Sequence, residues 1–245
     1  MSIMEWKIGC SGYHYADWKG IFYPEEIAQQ KWFEYYSGHF NTLELNVTFY
    51  RFPRIESLKN WYYRSPKGFS FTVKAPRQIT HFKKFKEAQR MLHDFNQTAK
   101  DGLREKLGCV LFQFPANYKY EAERLERIIE LLDVSVKNVL EFRHESWWNP
   151  AVFEVLEKNL ISFCGMSHPS LPENVIGTTD TLYYRFHGVP HLYSSKYEVQ
   201  KLEKIAHDLL NNTQATQAFV YFNNTADGHA IVNAKQLQDI CELVH

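Results

Sequence analysis

Eight short segments rich in β-branched, aromatic and leucine residues recur along this chain, and they constrain its fold more than any other feature. They span residues 7–10, 42–47, 69–74, 108–114, 138–142, 160–165, 182–187 and 218–222. Their mean spacing is about 30 residues, the size of one strand–helix unit. Eight such units form a (β/α)8 barrel of about 250 residues, and this chain has 245. We therefore predict an α/β fold of the TIM-barrel type, with one domain over residues 1–245.

Helical periodicity fills most of the intervals between these segments. It covers residues 25–37, 88–106, 121–132, 150–158, 196–210 and 234–244. The interval 166–181 holds two prolines, a glycine and little periodicity, so we expect the sixth helix to be irregular or missing. An open, doubly wound sheet is the rival architecture, but it would place its ligand at one switch point rather than on nearly every strand.

Polar or charged residues stand at or near the C-terminal ends of these segments, the end at which TIM barrels carry their active sites. They are Glu44, Asn46, Lys74, Gln113, Glu141, Arg143, Arg185, His187 and Asn223. Because side chains alternate along a strand, Arg185 and His187 share a face opposite Phe186, and Lys74 lies opposite Val73. The apolar faces would meet the helices, which directs the polar faces into the barrel.

Glu44, Glu141 and His187 are the candidate catalytic residues, acting as acids or bases. Burial raises the pKa of a carboxylate and a neighbouring cation lowers it, so their surroundings decide the role. The alternative is a structural ion-pair network that fills the barrel.

Three cations face the two carboxylates at the predicted mouth, which favours an anionic substrate. Lys74, Arg143 and Arg185 would hold that substrate. A depressed pKa would make Lys74 a Schiff-base nucleophile, but two nearby glutamates argue against one, so we expect a fixed cation. Further candidate substrate-binding residues are Gln113, Asn46, Asn223, Tyr13 and Trp147. Most loop aromatics are expected to pack the loops rather than to stack on a ligand.

Charge and cysteine usage limit the partners and the compartment. Lys and Arg total 28 against 28 Asp and Glu, so no broad nucleic-acid or membrane surface is expected. No apolar run of about 18 residues and no secretory leader is visible. Four dispersed cysteines predict buried, reduced thiols in a cytoplasmic protein. No cofactor is predicted; a divalent metal is the less favoured alternative, and the oligomeric state stays open.

Two non-enzymatic functions remain as alternatives. The basic segment 77–86, together with the loop aromatics, suits a nucleic-acid-binding module. An internally paired barrel would instead serve as a scaffold for a partner protein.

Eight motifs, in order along nearly the whole chain, resemble the YecE-like family, whose domain is a TIM barrel of unknown function. They are IGCSGY at 8–13, WKGIFYP at 18–24, FNTLELN at 40–46, VKAP at 73–76, LFQFP at 111–115, EFRH at 141–144, RFHG at 185–188 and YFNN at 221–224. The resemblance implies the barrel but no settled activity. From the residues we favour an enzyme of hydrolase, lyase or isomerase type that performs acid/base chemistry on an anionic, phosphorylated or nucleotide-like substrate.

Overall fold

The computed structural model of the protein describes residues 4–243 and contains one sheet of eight parallel strands. The strands are β1 (Glu5–Cys10), β2 (Thr42–Leu45), β3 (Ser70–Lys74), β4 (Leu107–Gln113), β5 (Asn138–Glu141), β6 (Ser162–Ser167), β7 (Thr181–Phe186) and β8 (Gln217–Phe222). Each strand from β2 to β8 pairs with the next, and β8 pairs with β1. This order confirms the predicted (β/α)8 barrel.

Helices alternate with the strands and pack against their outer faces. They are α1 (Trp32–Ser37), α2 (Val47–Tyr50), α3 (Ile55–Arg64), α4 (Gln89–Leu103), α5 (Ala122–Leu131), α6 (Pro150–Lys158), α7 (Val199–Leu210) and α8 (His229–Leu243). No helix joins β6 to β7 in residues 168–180, as expected from the prolines of that interval. Helix α3 was not predicted; of its ten residues only Leu58 is buried.

Several predicted bounds differ from the structure for local backbone reasons. Strand β2 ends at Leu45 rather than at 47, since Asn46 has helical dihedral angles (φ −80°, ψ −18°) and begins α2. The predicted helix 25–37 is interrupted at Ala28, which is extended (φ −62°, ψ 139°), so only α1 and a 3₁₀ turn before it form. The predicted helix 88–106 ends at Leu103, because Arg104 has a positive φ of 50°.

The last two helices also differ from their predicted starts. Helix α7 begins at Val199 rather than at 196, and α8 begins at His229 rather than at 234. The predicted end of the last helix, residue 244, lies outside the described residues.

The barrel closes between β1 and β2 largely through side chains. The hydroxyl of Tyr36 accepts a hydrogen bond from the Cys10 backbone N–H (2.7 Å) and donates one to the Thr42 carbonyl (3.0 Å). The strands approach closely because Gly9 has no side chain: a Cβ there would lie 2.3 Å from the Thr42 carbonyl oxygen. Tyr36 therefore replaces part of the missing backbone ladder at this seam.

Two apolar layers lie on the two sides of the sheet. The larger one fills the space between strands and helices. The inner one consists of Cys109, Leu111, Val139, Cys164, Met166, Tyr183, Phe219 and Tyr221. Across this inner layer, the Tyr221 hydroxyl lies 2.6 Å from Thr42 Oγ1 and 2.9 Å from Thr72 Oγ1. The interior below the mouth is thus a packed floor.

All four cysteines of the chain are buried free thiols, as predicted. Within residues 4–243, no helix has the length and apolar character needed to cross a membrane.

Candidate functional site

A buried arginine joins the two predicted glutamates at the mouth of the barrel. Arg185 is 1% exposed. Its Nη2 donates a hydrogen bond to Glu44 Oε1 and its Nη1 donates one to Glu141 Oε2, each at 2.6 Å. Because β2, β5 and β7 are not neighbours in the sheet, this bridge crosses the mouth. The predicted inward face therefore carries a real ion-pair network.

Glu44 has two further partners. Its Oε1 accepts from Ser11 Oγ at 2.7 Å, and its Oε2 accepts from the Tyr183 hydroxyl at 2.6 Å. Ser11 and Tyr183 are absent from the predicted site, although both follow the inward alternation of their strands. A serine one residue beyond β1 was the signal that could have revealed the first of them. With these contacts, both oxygens of Glu44 are occupied by protein groups.

Glu141 is the centre of a second set of contacts. Arg143 Nε donates to its Oε1, and His187 Nε2 lies 3.5 Å from the same oxygen. Burial by itself raises the pKa of Glu141, but the charges of Arg143 and Arg185 and the hydrogen bond with His187 bring it well below its ordinary value. Glu141 is therefore held as a carboxylate and is a weak base.

His187 is fully buried and neutral. Burial lowers its pKa well below the ordinary value, and the charges of Arg143 and Arg185 lower it further. Arg143 Nη2 lies 3.1 Å from its Nε2, and the side-chain amide of Asn223 lies 3.1 Å from its Nδ1. The ring is thus held between the Arg143 guanidinium, the Glu141 carboxylate and the Asn223 amide.

Lys74 is the unpaired cation of the mouth. It is 8% exposed at the end of β3. Within residues 4–243 its Nζ forms no hydrogen bond and no ion pair; it lies 4.4 Å from the centre of the Phe49 ring. Burial and then the charge of Arg185 lower its pKa to about 8, against the opposite effect of Glu141 and Glu44. The expectation that the glutamates prevent a depressed pKa is wrong, because arginines already occupy both carboxylates.

A cavity of about 370 Å³ opens beside Glu44 at the same end of the barrel. It is lined by Gly12, Tyr13, His14, Tyr15, Glu44, Leu45, Asn46, Val47 and Trp61. The side-chain oxygen of Asn46 is buried and accepts no hydrogen bond from any residue of the described range. The structure thus brings three predicted residues, Tyr13, Glu44 and Asn46, to one concave surface.

The remaining two predicted residues differ in their placement. Gln113 is half-buried at the end of β4, paired in register with Glu141, and its amide donates to the neighbouring Phe114 carbonyl (2.7 Å). Trp147 is fully buried: its ring stacks on Phe142 with centroids 3.7 Å apart, and its N–H donates to the Tyr118 carbonyl. Gln113 therefore lies at the mouth, whereas Trp147 packs the outer core.

The side chains at the mouth can also be considered as ligands for a metal ion. Within residues 4–243, no three His, Cys, Asp or Glu side chains are grouped as they would be around a metal ion. Glu44 and Glu141 both accept hydrogen bonds from Arg185 instead.

Fold and site together define a TIM-barrel protein with a buried charged cluster at the C-terminal ends of its strands. Residues 7–245 match the family described as "Protein of unknown function DUF72", and the chain belongs to this family.

Relatives within this family support the resemblance to YecE. The chain is 28% identical to the UPF0759 protein YunF of Bacillus subtilis, over 90% of each sequence. It is 27% identical to the UPF0759 protein YecE of Escherichia coli over 116 residues, which are 47% of this chain and 42% of that one. A DUF72 family crystal structure from Thermotoga maritima superimposes with a TM-score of 0.88 at 29% identity, covering 97% of this chain and 99% of the other.

Proposed function

We propose that this protein is an enzyme that performs acid/base chemistry on a small anionic substrate bound at the C-terminal mouth of the barrel. One observation carries the proposal: the buried charged cluster leaves Lys74 without a counter-charge in the described residues. A buried cation without a partner is costly, and an anionic ligand would relieve that cost.

The contacts favour Lys74 as the group that exchanges the proton. A general acid or base works best when its pKa lies near the working pH, and that of Lys74 is about 8. Glu141 is held ionised by its arginines, so in this proposal Glu44 and Glu141 position the cations instead of carrying the proton. His187, neutral and held by protein groups at both ring nitrogens, would fix the position of Arg143 beside Glu141.

Two further polar groups of the mouth support an anionic, hydroxyl-bearing ligand. Arg143 Nη1 forms no hydrogen bond within residues 4–243, so its two donors are free for phosphate or carboxylate. The buried oxygen of Asn46 is a free acceptor for a ligand hydroxyl. The neighbouring 370 Å³ cavity has the size of a small-molecule site.

Binding of inorganic sulfate, measured by isothermal titration calorimetry, tests this proposal. We expect Lys74→Met to weaken sulfate binding at least about tenfold, since a charge-assisted hydrogen bond contributes about 1.5–3 kcal/mol. Lys74→Arg should retain most of the affinity. In the wild type the affinity should fall as the pH rises through about 8, because Lys74 then loses its proton.

The matched control is Lys158→Met, which removes an exposed lysine from the end of α6, at the opposite end of the barrel. It should leave sulfate binding unchanged. Equal weakening by Lys158→Met and Lys74→Met would show that sulfate responds to overall charge and would contradict the site.

A nucleic-acid-binding function has one observation in its favour. The Arg77 guanidinium lies 5.8 Å from the Tyr50 ring and 5.5 Å from the Phe82 ring, and these rings are 65% and 67% exposed. Exposed aromatic rings beside a cation can stack on unpaired bases.

For this second candidate we expect a fluorescent single-stranded oligonucleotide to bind with an affinity that falls steeply with salt. Phe82→Ala should weaken binding by about 1–3 kcal/mol, the contribution of one stacked base. Val134→Ala, at a 94% exposed position far along the chain, is the control. Absence of anisotropy change at low salt would rule this candidate out.

A further inference from the structure

Lys74 differs from the other buried lysines in having no oxygen partner. Lys7, Lys74 and Lys106 are 7%, 8% and 9% exposed. Lys7 Nζ donates to the Gly68 carbonyl (3.1 Å) and pairs with Glu5. Lys106 Nζ donates to the Tyr62 carbonyl (2.7 Å) and to the Ser65 carbonyl and hydroxyl oxygens (2.8 Å each). Within residues 4–243, Lys74 Nζ has only the face of Phe49.

The groups around Lys74 lower the stability of its charged form. Arg185 from β7 and Arg143 from the loop after β5 repel a proton on Nζ, whereas Glu141 and Glu44 attract it. Both carboxylates are engaged by Arg185, which reduces that attraction.

The outer side of Lys74 adds no anion. The His81 ring packs edge-on against Phe49, with centroids 5.0 Å apart. Burial and then the charge of Lys74 lower the pKa of His81 to about 4, so this ring is neutral at pH 7. An amine that is buried, uncharged in part and free of hydrogen bonds is a competent nucleophile.

We propose that Lys74 forms an imine with a small aldehyde or ketone that carries a carboxylate or phosphate group. This deepens the proposed function and rests on it, since the anionic group would bind the same mouth through Arg143. The position of Lys74 at the C-terminal end of β3 directs Nζ toward the place where a barrel substrate binds.

The chemistry balances without a cofactor. The Nζ lone pair attacks the carbonyl carbon, a C–N bond forms, and the C=O π electrons move to oxygen, which takes up the proton that Nζ releases. A second proton, from solvent, then converts the hydroxyl to water, which leaves as Nζ supplies the electron pair for C=N. The net change is one amine, one carbonyl and one proton to one iminium ion and one water. The iminium ion withdraws electrons from the neighbouring carbon, which is the purpose of such an intermediate in proton or carbon–carbon bond chemistry.

Reductive trapping tests the imine. The full-length protein is incubated with glyoxylate and sodium cyanoborohydride, and the stable adducts are located by peptide mass mapping. We expect Lys74 to be labelled at least about tenfold faster with glyoxylate than with acetaldehyde, since a charge-assisted bond to the anionic group contributes about 1.5–3 kcal/mol. Labelling of Lys74 should be slowed by sulfate and should rise as the pH approaches about 8.

Two other lysines are internal controls in the same digest. Lys106 has the same burial but three oxygen partners, so it should stay unlabelled. Lys158 is exposed and gives the intrinsic rate ratio of the two aldehydes, against which the preference of Lys74 for glyoxylate is measured, and sulfate should not protect it. Labelling of Lys74 at the rate of Lys158, or without sulfate protection, would overturn the proposal.

The Lys74→Arg variant separates this inference from the proposed function. It retains a cation but cannot form an imine, so sulfate should bind while no adduct appears on residue 74 or its neighbours. In the wild type, sulfate binding without a Lys74 adduct would reject the imine and leave the anion site standing. Absence of both sulfate binding and adduct would reject the two proposals together. Because sulfate protection is measured on the wild type, the test stands even where a variant folds poorly.

Discussion

Replacing Arg185 with Met should lower the free energy of unfolding by about 3–5 kcal/mol, the largest effect we expect from one substitution at this site. Arg185 is 1% exposed and is the ion-pair partner of both Glu44 and Glu141. Its removal leaves Glu44 as a buried carboxylate with no arginine partner among residues 4–243, and leaves Glu141 with Arg143 and His187. Urea unfolding at pH 7, followed by circular dichroism, measures the loss.

Two further variants interpret that result. Arg64→Met removes an arginine whose partner Glu34 is 38% exposed, and a surface pair of this kind contributes about 0–1 kcal/mol. The triple variant Arg185→Met/Glu44→Gln/Glu141→Gln should be more stable than Arg185→Met, because it also removes the two buried carboxylate charges that the single variant leaves without Arg185. If Arg185→Met cost no more than Arg64→Met, Arg185 would not be a buried partner of both glutamates.

Replacing Lys74 with Met should have the opposite sign and raise the free energy of unfolding at pH 7 by about 3 kcal/mol. The pKa of Lys74 falls from 10.5 to about 8 on folding. A lysine with a lowered folded pKa destabilises the native state wherever the amine is charged, and the full penalty applies below pH 8. Methionine keeps the apolar contact with Phe49 and removes the buried charge.

The pH dependence of the free energy of unfolding tests the same substitution independently. Between about pH 8 and pH 10.5 the unfolded chain binds a proton at Lys74 that the folded protein does not, so the stability contribution of this residue rises with pH. The difference in stability between Lys74→Met and the wild type should therefore shrink across that interval. Taking the difference cancels the titration of the other groups.

Lys106→Met is the matched control for this effect. Lys106 has a similar exposed fraction, and burial also lowers its pKa, but its ammonium group donates to oxygens of Tyr62 and Ser65 that its loss would leave unsatisfied, so Lys106→Met should destabilise the protein. A destabilising Lys74→Met, or a difference independent of pH, would show that Lys74 is stabilised in the native state and would argue against its depressed pKa.

The strands could be predicted from the sequence because each is a short run of residues that suit a buried, parallel sheet. Helix α3 could not, since its large residues Trp61, Tyr62 and Tyr63 remain partly or largely exposed and only Leu58 is buried. The end of β2 depended on the backbone of Asn46, which no residue pattern specifies.

The position of the site could be predicted from the sequence, but the ion pairs between its charged side chains could not. Alternation placed Arg185, Glu141 and Lys74 on the inward face, and the structure brings them together. Lys74 has no carboxylate partner among the described residues because Arg185 pairs with both Glu44 on β2 and Glu141 on β5. These strands come within reach of Arg185 only when the barrel closes, so the pairing could not be predicted from the sequence. The contribution of Ser11 likewise follows from the seam between β1 and β2, where it meets Glu44.

The hydroxyl of Tyr221, held between Thr42 and Thr72, closes the interior of the barrel below the mouth. In the proposed reaction, the substrate and its product would both pass through the mouth, because the layer around Tyr221 is packed with side chains. Departure of the product would then have to precede the arrival of the next substrate, and a second reactant would have to enter from the same side.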